Sequence, residues 1–176
     1  ETNDLQQKPR TNRPLDEFDR RILGAMTENA RQTYAEIGDR VGLSAPAVHE
    51  RVKRLTKSGA LSGTSAHIDP GIIGKPFLAF VHVNAHGWGK SERMMSLNDF
   101  PEVEEMHSVA GDACVILKVR TESAHAMEQF LAQLYATPGV KSSKSYVVLS
   151  TYLERPVQAE VTHDWPDVPP PPEIYP

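Results

Sequence analysis

The sequence predicts an α+β chain in two parts: a front bundle of short helices, then a β-α-β-β-α-β unit. Three observations lead there. Between Pro14 and Leu61 the apolar residues recur at spacings of three and four, the helical period. After Gly74 the pattern changes to short apolar runs of strand character, separated by amphipathic stretches. The charge balance changes between the same two parts. Residues 1–62 carry 11 Lys/Arg against 9 Asp/Glu, whereas residues 63–176 carry 8 against 14.

Residues 1–13, ETNDLQQKPRTNR, read as a flexible arm with basic residues Lys8, Arg10 and Arg13. Leu15, Phe18, Ile22, Ala25 and Met26 fall on one face of a helix over 16–28. Asn29 to Gln32 interrupts it. Thr33 stands three residues before Glu36, a capping-box spacing, and opens a second helix that buries Ile37 and Val41 and stops at Gly42. Ser44 can cap a third helix, whose first turn tolerates Pro46 because those N–H groups have no intrahelical partner. Val48, Val52 and Leu55 form its buried stripe, and Gly59 ends it. Residues 60–69, ALSGTSAHID, hold a Ser-Gly turn between segments that can pair as a small hairpin or wing. The predicted front domain is thus a winged helix-turn-helix over 14–62, followed by a linker or hairpin over 63–75.

The second domain spans 76–154. FLAFVHVN (77–84) reads as a strand apolar on both faces. Residues 90–99 read as a helix with Met94, Leu97 and Phe100 on one side. Residues 103–110 and 112–120 read as two strands joined tightly at Gly111. Residues 123–136 form an amphipathic helix with Met127, Phe130, Leu131 and Leu134 inward, and 140–153 a last strand. This order is the ferredoxin-like sandwich. Residues 155–176 form a proline-rich tail, expected to be extended or disordered. Seven of the chain's fourteen prolines lie in it.

Composition closes several routes. One cysteine, Cys114, rules out a disulfide framework and a four-cysteine metal site. No run reaches membrane-spanning length, and the polar, proline-containing first fifteen residues do not resemble a signal peptide. A cytoplasmic protein is expected. His82, His86 and His107 lack a metal-binding spacing, so no metal is assigned. Trp88, in a glycine-flanked loop, packs either on a neighbouring subunit or on the sheet edge. No nucleophile-histidine-acid spacing, P-loop or dinucleotide fingerprint appears, and no catalytic residue or cofactor is assigned.

The third helix carries the functional signal. At 100° per residue, with Val48, Val52 and Leu55 inward, Pro46, Glu50, Lys53, Arg54 and Lys57 project outward. Ala47 and His49 lie at the edges of that surface, and Arg51 flanks the core stripe. A charged outer face is ordinarily just a solvated face. Here it belongs to the second helix of a helix-turn-helix pair, which in that motif enters the major groove of duplex DNA. The small residues Ala45 and Ala47 permit close approach at its start, and Ser44, just before them, is counted with the DNA-binding residues. Pro46, His49 and Glu50 are base-edge candidates. Arg51, Lys53, Arg54 and Lys57 are phosphate candidates, which position without specifying sequence.

LDEFDRRIL (15–23), NAR (29–31), GLS (42–44), RVKRL (51–55) and AGDACVILKV (110–119) together resemble the Lrp/AsnC, or feast/famine, transcriptional regulators. The resemblance spans about residues 14–153. It implies a DNA-reading head, an effector-binding sandwich, and dimers that assemble into larger discs, often octamers. It places a small effector, commonly an amino acid, at Gly111, Asp112, Ala113 and Cys114. Backbone N–H groups there would hold a carboxylate and Asp112 an ammonium. The chain departs from the family at Cys114, where many members have a second acid. Gly111-Asp112 also reads simply as a hairpin turn. Dimerisation has independent support: two helices cover one sheet face, and the other, with Leu78, Phe80 and Ile116, calls for a partner sheet. Two alternatives share this architecture: a siroheme-decarboxylase-like enzyme using His82 or His107, and a DNA-compacting protein of low sequence preference.

Overall fold

The computed structural model describes residues 14–86, 95–160 and 167. The described chain separates into two compact units, residues 14–65 with 155–160, and residues 66–154.

The first unit contains α1 (Glu17–Glu28), α2 (Tyr34–Val41) and α3 (Ala45–Ser58). Each start is set locally. The Thr33 and Glu36 side chains each accept the other's backbone N–H, at 3.2 and 2.6 Å, as their spacing predicts. Asp16 and Asp19 form a second reciprocal cap at α1. Ser44 sits at the cap position of α3, but its hydroxyl makes no capping hydrogen bond. Pro46 has removed one of the N–H groups it would serve. Gly42 and Gly59 end α2 and α3 with φ of 78°, a left-handed conformation that costs a glycine little. Ile22, Ala25, Ile37, Val41, Val48, Val52 and Leu55 form the core. Phe18, expected in that core, is part-exposed and lies against the Arg51 guanidinium at 5.3 Å.

The wing does not form: residues 60–69 contain no strand. Leu61 packs on the helical core and its N–H donates to Leu55 O, but residues 62–69 are exposed. A two-stranded ribbon with no apolar face to bury is marginal on its own.

The second unit is a four-stranded antiparallel sheet of order β2-β3-β1-β4, with β1 Phe77–Ala85, β2 Val103–Ser108, β3 Val115–Thr121 and β4 Val140–Val147. Helix α4 (Ala124–Ala136) covers one face. Strand alternation explains the core. Ala79, Val81 and Val83 of β1 and Val115, Leu117 and Val119 of β3 share a face and bury against Met127, Phe130 and Leu134 of α4. The expected helix over 90–99 lies partly outside the described residues, as do Met94, Trp88 and the 1–13 arm. Its described end is a 3-10 turn, Ser96–Asp99, with Leu97 buried. The link between β2 and β3 is a loop over 109–114 rather than a tight turn at Gly111. Val109 N–H donates to Cys114 O across it at 3.1 Å. The last strand stops at Val147, short of the expected 153.

The opposite sheet face carries Phe80, His82, Ile116, Lys118 and Tyr146. Phe80 is 40% exposed and Tyr146 45%. Leu78, expected to need a partner sheet, is already buried within the protomer at 7%. The chain beyond β4 stays close by: Val148 N–H donates to Leu78 O. Glu154 pairs with Lys118, and with Arg120 at 3.6 Å.

Candidate nucleic-acid interface and effector loop

Along α3, Pro46, His49, Glu50, Lys53 and Lys57 are exposed, and Ala45 and Ala47 are half-buried. Ser44 is exposed just before the first turn. His49 Nδ1 lies 3.7 Å from Glu50 Oε1, and the His49 ring stands 5.4 Å from that of Tyr34. Tyr34, the first residue of α2, therefore joins this surface; helix-by-helix reading missed it because its neighbour lies on another helix. The small and exposed residues of the first turn leave the backbone accessible. The next turns present one imidazole, one carboxylate and two ammonium groups, a set able to address base edges and phosphates.

Arg51 and Arg54 take a different course from the outward-facing lysines. Arg51 Nη1 donates to Asp16 Oδ2 and to Asp19 Oδ1, both at 2.7 Å. Arg54 Nη2 donates to the same Asp19 oxygen at 2.6 Å. Asp19 is only 3% exposed. A buried carboxylate demands cations, and the forked guanidinium serves it better than a mobile ammonium. Hydrogen bonding to Arg51 lowers the pKa of Asp16, and hydrogen bonding to Asp16 and Asp19 raises that of Arg51. Removing a partner of the buried Asp19 carboxylate is destabilising, but solvent at Arg54 and Asp16 screens part of the loss. Arg54, expected outward, and Arg51, expected beside the core stripe, both as phosphate partners, are thus directed at α1. Among the described residues, Lys53 and Lys57 have no ion-pair partner.

In the second unit, Gly111 and Asp112 are exposed, Ala113 is buried and Cys114 half-buried. Cys114 is held by its N–H donating to Val83 O at 3.0 Å, and its thiol faces Asn84 Oδ1 at 3.9 Å. Lys144, on β4, lies over the Tyr146 ring at 5.2 Å. Its pKa is raised by hydrogen bonding to Tyr146, with a smaller contribution from the Asp112 charge. The loop therefore offers backbone amides and a carboxylate, with an ammonium within electrostatic reach.

Of the histidines considered for metal, His82 faces Tyr146 at 4.8 Å and His107 pairs with Glu105 at 3.1 Å. Both are engaged by single neighbours on the open sheet face. Among the described residues, no helix is long and apolar enough to cross a membrane.

Comparison with known proteins adds independent information. Residues 15–56 match the AsnC-type helix-turn-helix domain, and residues 78–158 the Lrp/AsnC ligand binding domain. The chain is 32% identical over 141 residues to the HTH-type transcriptional regulator FL11 of Pyrococcus horikoshii, covering 80% of this chain and 93% of that one. It is 36% identical over 142 residues to the HTH-type transcriptional regulator Rv2324 of Mycobacterium tuberculosis, covering 80% and 96%. Its fold matches the transcriptional regulator NMB0573 of Neisseria meningitidis, solved with L-Met, at a TM-score of 0.75 and 26% identity, covering 81% and 94%. With a helix-turn-helix head, a ligand-binding sandwich and relatives matched over nearly their full length, the chain belongs to the Lrp/AsnC family of transcriptional regulators.

Proposed function

We propose that this regulator binds duplex DNA in a sequence-specific way through the exposed side of α3, as a homodimer that assembles to a higher oligomer. A small effector, an amino acid, acts at Gly111, Asp112, Ala113 and Cys114. The observation that carries the reading is the exposure of Pro46, His49, Glu50, Lys53 and Lys57 on one helix whose other side is the domain core. Pro46, His49 and Glu50 read base edges, Ser44, Ala45 and Ala47 allow the approach, and Lys53 and Lys57 meet phosphates. The half-exposed Arg54 and the more enclosed Arg51 border the same surface. Dimerisation through the open sheet face gives two reading helices. Half-sites then lie about one helical turn apart.

An amino-acid effector is supported by two facts: the Neisseria regulator was solved with L-Met, and the loop here offers groups for both ends of a zwitterion. The effector must bind one arrangement of the dimers more tightly than another to change DNA binding. The regulator is no enzyme in this reading, and it works in the cytoplasm. Selection of bound sequences from random duplexes, with and without a panel of amino acids, tests it. A two-fold motif is expected, with affinity shifted by at least one amino acid. Recovery of no motif overturns sequence-specific reading; a motif indifferent to every amino acid overturns the effector assignment.

A further inference from the structure

We propose that Asp19 is a positioning residue for DNA reading: it clamps Arg51 and Arg54 to α1, fixing the pose of α3 and leaving the phosphate contacts to Lys53 and Lys57. The inference rests on the DNA-binding reading above and divides its cations into two classes.

The geometry supports the division. Arg51 and Arg54 are three residues apart, so they lie on the same flank of α3. Both reach one oxygen of one buried carboxylate, at 2.7 and 2.6 Å. Two attachments a turn apart resist both rotation of α3 about its axis and sliding along α1. A rotation by one residue position is about 100° and would carry His49 and Glu50 off the presented surface. Asp16 adds a third anchor while also capping α1, so the clamp is tied to the start of the helix it grips. Phe18 completes it against the Arg51 guanidinium.

Charge supports the same division. Two arginines against Asp16 and Asp19 form a neutral quartet. Lys53 and Lys57 remain as exposed cations on flexible stems, suited to following a phosphate chain. Each phosphate neutralised contributes about −0.9 to the slope of log affinity against log salt. The division therefore predicts a slope set by two lysines per protomer and not by four cations.

The test is a salt titration of wild type, Lys53→Gln, Arg54→Gln and Asp19→Asn, each on the selected duplex and on a random one. Lys53→Gln should flatten the slope by about 0.9 per protomer and weaken both duplexes alike. Arg54→Gln should leave the slope within about 0.3 of wild type, yet lower the preference for the selected duplex about tenfold, the size of one mismatched base pair. Asp19→Asn, which frees Arg54 while Asp16 still holds Arg51, should steepen the slope and lower the same preference. Thermal unfolding monitors each fold; should Asp19→Asn unfold, Arg54→Gln alone decides. A slope as flat in Arg54→Gln as in Lys53→Gln, or unchanged preference in a folded Arg54→Gln, overturns the clamp. No effect of Lys53→Gln on either duplex overturns the assignment of this face to DNA, and the clamp's role with it.

Discussion

In the turn between α2 and α3, a methyl group added to Gly38 would stand 2.4 Å from the carbonyl oxygen of Leu43. The obstacle is backbone, so it cannot swing aside like a side-chain end. This close approach lets the chain leave α2 and start α3 after only three residues, Gly42, Leu43 and Ser44. The Gly42 and Leu43 N–H groups both donate to Gly38 O, so the tight turn also satisfies the end of α2.

Gly38→Ala should therefore destabilise the front unit by about 1–3 kcal/mol, as overpacking does. Gly24 supplies the control. It also sits inside a helix, but a methyl there meets nothing closer than Glu160 Oε1 at 3.8 Å. Gly24→Ala should stabilise by up to about 1 kcal/mol through helix propensity. Chemical denaturation of both variants checks the pair; equal effects would show that helix propensity, not the approach to Leu43, governs the site.

Acid should weaken both units. Hydrogen bonding to Arg51 lowers the Asp16 pKa; hydrogen bonding to His107, then Lys118, lowers that of Glu105; hydrogen bonding to Lys118 lowers that of Glu154. Burial opposes the charge of Lys118, but bonding to Glu154 and Glu105 outweighs it and raises its pKa. A carboxylate with a depressed folded pKa contributes stability above its unfolded value of about 4, and loses it as pH falls through the lower folded value. The melting temperature should thus hold through neutral pH and drop below about pH 4. Glu154→Gln should shrink the acid-induced drop in the sheet unit. A drop of unchanged size would remove Glu154 from the linkage; these pairs are partly solvated, so the effect should be modest.

The helix-turn-helix was legible because its signals are local. Thr33 and Glu36 are three residues apart, and Gly42 and Gly59 directly follow the helices they end. The strands β1 and β3 were legible from their apolar runs, and the element order along the chain with them. What escaped reading was long-range. Asp19 and Arg54 are 35 positions apart, and a helical wheel cannot distinguish a solvated arginine from one reaching to the next helix. A signal did exist: Leu15, Asp19, Ile22 and Met26 follow helical spacing, so Asp19 is an acid set within an apolar stripe. An acid so placed requires a buried cation. The end of β4 was obscured differently. The run after Val147 stays apolar, yet Leu149 is 94% and Tyr152 97% exposed. Ala79 pairs with Val147 and β1 begins at Phe77, so the neighbouring strand is running out there. Strand character in the sequence cannot show where a partner stops.

That same open sheet face bears on assembly. Phe80 stands opposite Tyr146 on β4 and Lys118 on β3, on the sheet face turned away from α4. An aromatic pair at this position, part-exposed in one protomer, has the character of an interface anchor. Phe80→Glu would place a carboxylate in each half of a two-fold contact, so each dimer would gain two mutually repelling charges. Because Phe80 is already 40% exposed, the protomer itself should lose little. Dimer affinity should fall by at least about 2 kcal/mol per copy. Sedimentation velocity should show monomers where wild type, on the proposed assembly, should sediment as dimers or larger species, with the melting temperature of a dilute sample nearly unchanged. DNA affinity should fall with it, since a monomer engages one half-site. An unaltered sedimentation profile would place the subunit contact elsewhere on the chain.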